Sequence, residues 1–191
     1  LAVARQIQQD LLPHSFPQGE RFEVSAINLP SREIGGDYYD FMTSGDPEEG
    51  DPELLLMVIA DVSGKGTPAA LLMASLQATL RAVREVQPDL AKTAEKVNAA
   101  LCRTTDTEKF VTLFMAELEV ESRRLRYVNA GHNFPILARA SGEQVLLEEG
   151  GLLMGVMETA EYEEGEVRLE PNDVLVLYTD GVNEAQNPAR E

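Results

Sequence analysis

The sequence predicts an α+β fold, in which antiparallel sheets pack against helices on their outside. Segments with strand patterning come first, two adjacent helices follow, and further strands complete the chain. The later strands are joined by short turns such as Ser141-Gly142, which suit antiparallel hairpins better than the long crossovers of parallel sheets. A length of 191 residues favours one compact unit with a core that needs no disulfide or structural metal.

The first element is a predicted helix over residues 1–12, which Pro13 ends. Its apolar stripe consists of Ala4, Ile7 and Leu11. Three positions do not distinguish the end of a coiled coil from a short docking helix. We expect residues 1–17 to form a linker, acting as a switch or dimer element, and residues 18–191 to form the folded domain.

The remaining elements follow from apolar patterning. Predicted strands cover residues 22–29, 37–42, 54–60, 110–120, 125–129, 134–139, 145–147, 166–169 and 174–178. The continuous apolar run 54–60 indicates a strand that is covered on both faces. Thr67 is the expected cap of a first long helix with Pro68 in its first turn, and a second helix is expected from Asp89 to about Cys102.

Composition excludes several classes of function. The chain has 33 acidic and 16 basic residues and a formal net charge of −17, which disfavours nucleic acid and anionic membranes as partners. No apolar run is long enough to cross a bilayer, and no signal peptide is evident. The single cysteine, Cys102, has no partner for an internal disulfide and lies in a helical pattern that suits packing, so we expect a cytoplasmic protein.

Three aspartates lie beside glycines at the ends of predicted strands. Asp37 follows Gly36, Asp61 ends the buried strand, and Asp180 precedes Gly181. Each one alone is typical of a turn. Together they could converge on a hard cation, since Mg²⁺ and Mn²⁺ prefer oxygen ligands and a carboxylate at a buried strand end needs water, hydrogen bonds or a cation.

Other kinds of site are disfavoured by spacing. The run from Gly64 to Thr67 lacks the glycine five positions before Gly-Lys and the Ser or Thr after Lys65 that a phosphate-binding P-loop requires. The chain has two histidines and no Cys/His spacing of a zinc site. No Gly-x-Ser-x-Gly elbow is present, and Ser63 has no base beside it.

Five motifs then occur in an order found in one family. They are GGDYYD at 35–40, DVSGKG at 61–66 with PAALLM at 68–73, FVTL at 110–113, NAGH at 129–132 and YTDGVNEA at 178–185. Through them the chain closely resembles the SpoIIE/RsbU branch of the metal-dependent, PPM-type (type 2C-like) serine/threonine protein phosphatases. The resemblance runs over nearly the whole chain, from about residue 7 to residue 187.

The resemblance implies a sandwich of two antiparallel sheets flanked by helices in α-β-β-α layers, with two Mn²⁺ or Mg²⁺ ions at one end. Asp61 then matches the aspartate that bridges both metals, the Val62 carbonyl contributes to one, and Asp37 and Asp180 match further ligands. Metal-activated water attacks phosphoserine or phosphothreonine in such enzymes. Arg32 falls where several members carry a phosphate-contacting arginine, although it also fits a surface arginine ahead of a strand.

Two departures from the family pattern matter. Val62-Ser63 replaces the Gly-His pair of animal and plant relatives, so their proposed histidine acid is absent. The family's last metal-binding aspartate lies beyond the segment that ends here at Glu191, which leaves the centre one carboxylate short. His132 is expected either to form structural hydrogen bonds or to lie at the site's edge.

The resemblance further implies a partner and a setting. The expected substrate is a phosphorylated anti-sigma-factor antagonist in a bacterial signalling pathway, and an upstream sensor domain or a dimer partner is expected to act through the N-terminal helix. The alternative is a non-catalytic regulatory or cation-binding module with the same fold.

Overall fold

A computed structural model describes residues 2–29, 35–45, 50–105, 109–183 and 185 of the chain. Its helices are α1 (Ala2–Leu11), α2 (Thr67–Val86), α3 (Leu90–Thr104) and α4 (Asp180–Asn183). Its strands are β1 (Tyr38–Ser44), β2 (Leu54–Val62), β3 (Val111–Glu119), β4 (Arg124–Ala130), β5 (Ile136–Ala138), β6 (Gln144–Leu146), β7 (Gly150–Gly151), β8 (Gly165–Arg168) and β9 (Val174–Val176). The α+β class is therefore confirmed.

The larger sheet has the order β1-β2-β3-β4-β7, and β8 also pairs with β4. All its pairings are antiparallel except that of β4 with β7. Strand β2 lies between β1 and β3, and its side chains enter cores on both faces of the sheet, which explains its continuous apolar sequence. In this register Tyr38 faces Ala60, and Asp61 faces Thr112. The starts of β1 and β3 therefore meet the end of β2 at one edge of the sheet.

The smaller sheet has the order β6-β5-β9 and is antiparallel throughout. A core between the two sheets joins Leu55, Phe114 and Tyr127 of the larger sheet to Leu137 and Leu175 of the smaller one. Each fully buried side chain of this size contributes about 1.5–3 kcal/mol to folding. The outer face of the smaller sheet carries three exposed apolar side chains, Leu146, Val174 and Val176.

Helices α2 and α3 cover the other face of the larger sheet. Met73, Leu76 and Leu80 of α2 are fully buried in a second core with alternate residues of β2 and β3. The helix expected from Asp89 to about Cys102 is α3, which begins at Leu90. Asp89 is its cap, because the Asp89 side chain accepts a hydrogen bond from the Lys92 amide at 2.7 Å.

Two predictions about local structure are wrong. Residues 22–29 form no strand, apart from an isolated bridge between Gln18 and Glu23. Thr67 is the first helical residue of α2 and not its cap; that position is taken by Gly66, whose φ of 75° suits glycine. Among the helices described, none has the length and apolar character needed to span a bilayer.

An ion pair between a buried aspartate and a half-exposed arginine joins α2 to β1. Asp40 is 0% exposed, and Arg81 of α2 donates to both of its carboxylate oxygens at 2.7 Å. The Tyr38 hydroxyl also donates to Asp40 at 2.7 Å, and the pKa of Tyr38 is raised by burial and by the charge of Asp40. The carboxylate is thus fully partnered, as a buried charge must be.

A second network joins both helices to the sheet. Glu117 of β3 is buried and accepts hydrogen bonds from Arg84 of α2 and Arg126 of β4. Arg126 also pairs with Glu164, whose carboxylate accepts from the Leu90 amide at the start of α3 at 2.8 Å. The helix layer is therefore held on the sheet by charge-assisted bonds as well as apolar contacts.

Candidate functional site

Asp61 and Asp37 meet at the edge of the larger sheet. Asp61 is the next-to-last residue of β2, and Asp37 immediately precedes β1. Tyr38 pairs with Ala60 in the antiparallel register, so Asp37, which precedes Tyr38, comes beside Asp61, which follows Ala60. The two carboxyl groups lie close enough to affect each other's pKa, so the strands bring together two residues that are distant in sequence.

The third aspartate reaches this edge from the smaller sheet. Asp180 begins α4, shortly after β9. Its charge raises the pKa of both Asp37 and Asp61, although burial is the larger cause in each case. Together these effects raise the pKa of Asp61 to about 6. The two sheets thus contribute carboxylates to one electrostatically coupled cluster.

Gly36 lies against the Val62 carbonyl oxygen, beside the carboxylate of Asp61. A Cβ atom added to Gly36 would lie 2.5 Å from the Val62 carbonyl oxygen and 3.4 Å from an Asp61 carboxylate oxygen. Only glycine permits this approach of the 35–37 backbone to the end of β2. The Val62 carbonyl therefore lies close to the carboxylates, which is where the sequence predicts an oxygen donor.

The donor set consists of hard oxygens, which fits Mg²⁺ or Mn²⁺. Burial raises the pKa values of Asp37 and Asp61, and repulsion between carboxylates raises them further; a bound divalent cation would relieve that repulsion. Among the described residues, however, no group of three His, Cys, Asp or Glu side chains has metal-holding geometry. The described site is thus a carboxyl pair with a third acid within electrostatic range, and the metal roles of Asp37, Asp61, Val62 and Asp180 stay predictions.

Three residues that the sequence did not single out also contact this region. The Thr179 hydroxyl is hydrogen-bonded to Asp37 and lowers its pKa, opposing the effect of burial. Gln8 of α1 donates to the Gly35 carbonyl at 2.6 Å and accepts from the Gly35 amide at 3.2 Å. Thr112 lies opposite Asp61 in β3. Adjacency to Asp180 was the available signal for Thr179, whereas Gln8 had none, since its partner is 27 residues away.

Ser63 and the glycines after it form a fixed loop. The Ser63 amide donates to the Phe110 carbonyl, and the Phe110 amide donates to the Ser63 hydroxyl, both at 2.9 Å. The hydroxyl is therefore engaged by a backbone amide, in agreement with the absence of a base beside it in the sequence. Arg32, the predicted phosphate contact, lies outside the described residues.

Comparison with known proteins gives the relationships of the chain. The family profile described as Stage II sporulation protein E (SpoIIE) matches residues 51–191. Phosphoserine phosphatase RsbU of Bacillus subtilis (strain 168) is 30% identical over 188 residues, which cover 97% of this chain and 54% of RsbU. Protein IcfG of Synechocystis sp. is 28% identical over 218 residues, covering 100% of this chain and 33% of IcfG. The chain thus spans about half, or less, of the length of these curated relatives.

Solved structures share the fold. The SiaA-PP2C domain of Pseudomonas aeruginosa matches with a TM-score of 0.77 at 20% identity, over 99% of this chain and 74% of that one. The RsbU and RsbW domains of Rv1364c from Mycobacterium tuberculosis match with a TM-score of 0.70 at 24% identity, over 83% of this chain and 43% of that one. These likenesses confirm the predicted phosphatase-type sandwich fold.

Proposed function

The chain belongs to the Stage II sporulation protein E (SpoIIE) family, and from that premise we propose that it is a metal-dependent protein serine/threonine phosphatase. The observation that supports this most directly is the contact between Asp37 and Asp61 beside the Val62 carbonyl, with Asp180 in electrostatic range. The name of the relative RsbU, phosphoserine phosphatase, supports phosphoserine as the reacting group.

The proposed ligands are Asp37, Asp61, Asp180 and the Val62 carbonyl, with Asp61 between two cations. When bound, Mn²⁺ or Mg²⁺ ions would lower the pKa of water and offset charge on the phosphoryl oxygens. A similar structure, that of RsbX, is a complex with magnesium, which supports a divalent cation here. The Thr179 hydroxyl helps to keep Asp37 ionised and oriented, because it hydrogen-bonds the carboxylate.

The chain's own residues limit how the reaction proceeds. Arg32 is proposed to bind two phosphate oxygens through its planar guanidinium group. No histidine follows Asp61, where Val62-Ser63 stands, and the Ser63 hydroxyl accepts from the Phe110 amide. We therefore infer that solvent protonates the departing serine oxygen.

We further propose a phosphorylated anti-sigma-factor antagonist as the substrate, in the bacterial cytoplasm. Support comes from the similarity to RsbU and to RsbP, which is also named a phosphoserine phosphatase. Residues 1–17 are proposed to receive a signal from an upstream sensor domain or a dimer partner. The two bonds between Gln8 and Gly35 support this role, since they connect α1 to the segment that carries Asp37.

The experiment is phosphate release from a phosphoserine peptide by the purified chain, with Mn²⁺ and with excess EDTA. Release that requires Mn²⁺ supports the proposal, and equal release in EDTA contradicts the metal mechanism. Calorimetric Mn²⁺ binding without any phosphate release would instead support the alternative, a non-catalytic cation-binding module.

A further inference from the structure

The His132 imidazole is buried and connects the two sheets. It is 4% exposed, its Nδ1 lies 2.9 Å from the Thr112 hydroxyl, and its Nε2 lies 3.1 Å from the Tyr178 carbonyl oxygen. A carbonyl oxygen only accepts, so Nε2 carries the proton and donates. In the neutral ring Nδ1 then accepts from the Thr112 hydroxyl. The two contacts thereby select one tautomer of a neutral ring.

Hydrogen bonds hold the backbone of His132 as well as its ring. The Asn129 side chain accepts from the His132 amide at 2.7 Å and donates to the His132 carbonyl at 3.1 Å. Gly131 has a φ of 67°, and a Cβ there would lie 2.8 Å from the Leu153 Cβ. These contacts hold the turn at the end of β4 that carries the imidazole.

The two partners of His132 belong to segments that carry or adjoin the candidate site. Thr112 is the register partner of Asp61 in the larger sheet. Tyr178 follows β9 of the smaller sheet and lies two residues before Asp180. Thr179, between them, is hydrogen-bonded to Asp37. His132 is therefore a direct polar connection between the strand beside Asp61 and the segment that carries Asp180.

We propose that His132 is a positioning residue, which keeps the segment of Asp180 near Asp61 by bridging the Thr112 hydroxyl and the Tyr178 carbonyl. The inference rests on the proposed function in that Asp180 is taken as a metal ligand. Burial lowers the pKa of His132 to about 4, so the ring stays neutral and keeps this pair of bonds at neutral pH. Outer residues that orient ligands commonly change metal affinity by about 10- to 100-fold when they are replaced.

The test compares His132→Leu, which removes both bonds, with His132→Gln, whose amide can accept from Thr112 and donate to Tyr178. Thr112→Val removes one bond and serves if His132→Leu does not fold. Asn98→Leu is the matched control, because Asn98 is also buried and bonds backbone groups, namely the Gly155 amide and the Met157 carbonyl, away from the site.

Two measurements are made on each folded variant. The first is hydrogen exchange of the Val182 amide in metal-free protein, since that amide donates to the Thr179 carbonyl at 3.1 Å and reports on the segment around Asp180. The second is Mn²⁺ affinity by calorimetry. We expect His132→Leu to speed the exchange several-fold and to weaken Mn²⁺ binding about tenfold or more. His132→Gln should recover most of both, and Asn98→Leu should change neither while it lowers the melting temperature.

The proposal is overturned if Val182 exchange and Mn²⁺ affinity in His132→Leu match those of the wild type, or if Asn98→Leu changes them equally. If wild-type protein binds no Mn²⁺, the proposed function fails, and Val182 exchange alone still decides whether His132 holds this segment.

Discussion

Replacing Asp61 and replacing Asp180 should have different effects on metal binding. If Asp61 bridges two cations, Asp61→Asn removes an anionic ligand from both, whereas Asp180→Asn weakens mainly one. We expect Asp61→Asn to abolish phosphate release at any Mn²⁺ concentration, and high Mn²⁺ to restore part of the activity of Asp180→Asn by mass action. Phosphate release measured across a Mn²⁺ titration checks this. Asp89→Asn is the control, because asparagine caps a helix equally well. Equal rescue of Asp61→Asn and Asp180→Asn would exclude the bridging role.

The same substitution should stabilise the metal-free fold. The pKa of Asp61 is raised from 3.8 to about 6, so the folded state binds more protons than the unfolded state between these values. Wild-type stability therefore falls as pH rises through this window, and Asp61→Asn removes that loss. We expect the variant to have the higher melting temperature at pH 7 in EDTA, and the difference to vanish below about pH 4. A variant that melts lower than the wild type at pH 7 would show that the repulsion is already compensated.

Loss of the ion pair between Asp40 and Arg81 should cost stability, because the Asp40 carboxylate is fully buried. Arg81→Met leaves the buried Asp40 carboxylate with Tyr38 as its remaining side-chain partner, and we expect a loss of about 2–4 kcal/mol. Arg103→Met is the control, since Arg103 and Glu158 are both more than half exposed and such pairs contribute about 1 kcal/mol at most. Urea unfolding of both variants measures the difference. Similar losses would show that Asp40 is rehydrated once its partner is gone.

At the scale of elements, the Gln8 side chain attaches α1 to the segment that carries Asp37. Gln8→Ala removes both bonds to Gly35, and we expect faster hydrogen exchange of the Gly35 amide and weaker Mn²⁺ binding, each by several-fold. Gln6→Ala is the matched control, because Gln6 lies on the same helix and bonds only the exposed Asp10. If the two variants exchange alike at Gly35, α1 does not hold this segment.

The elements that the sequence predicted well are those with a purely local cause. Strand β2 follows from its apolar run, and α3 from its periodicity and the Asp89 cap. Residues 22–29 misled because Phe22 and Val24 pack against the core between the sheets while their neighbours are exposed. That one-sided burial gives the alternation of a strand without a hydrogen-bonded partner. Strand β7 escaped notice since Gly150 and Gly151 carry no side-chain pattern at all.

Some residues of the candidate site could likewise be predicted from the sequence, and others could not. The three aspartates were recognisable because acid, glycine and strand end coincide in sequence. His132 was expected to form structural hydrogen bonds or to lie at the site's edge, but its partners could not be predicted. Gln8 and Thr179 were assigned no role, because they act through contacts that only the folded topology creates. The prediction that Thr67 caps α2 was wrong for a related reason. Gly66 precedes the helix with a positive φ, and the general preference for threonine at caps does not reveal this backbone conformation.

For the whole molecule, the net charge of −17 is the dominant electrostatic feature. Acidic residues outnumber basic ones about two to one, so the ion pairs leave an excess of like charge that repels itself. Raising salt from about 0.01 M to about 0.15 M shortens the screening length from about 30 Å to about 8 Å. We expect the melting temperature in EDTA to rise over this range. A fall would show that the surface ion pairs outweigh the repulsion.

The position of Asp180, after the last strand of the smaller sheet, has a consequence for synthesis on the ribosome. Asp37 and Asp61 lie on neighbouring strands of one hairpin, whereas Asp180 lies more than a hundred residues later in the chain. At roughly 5–20 residues per second, the last acid emerges on the order of ten seconds after the first two. A nascent or prematurely terminated chain can therefore form the hairpin while it lacks the third carboxylate. If Asp180 is a metal ligand as proposed, chains that stop before this residue should bind the metal ions more weakly and release no phosphate.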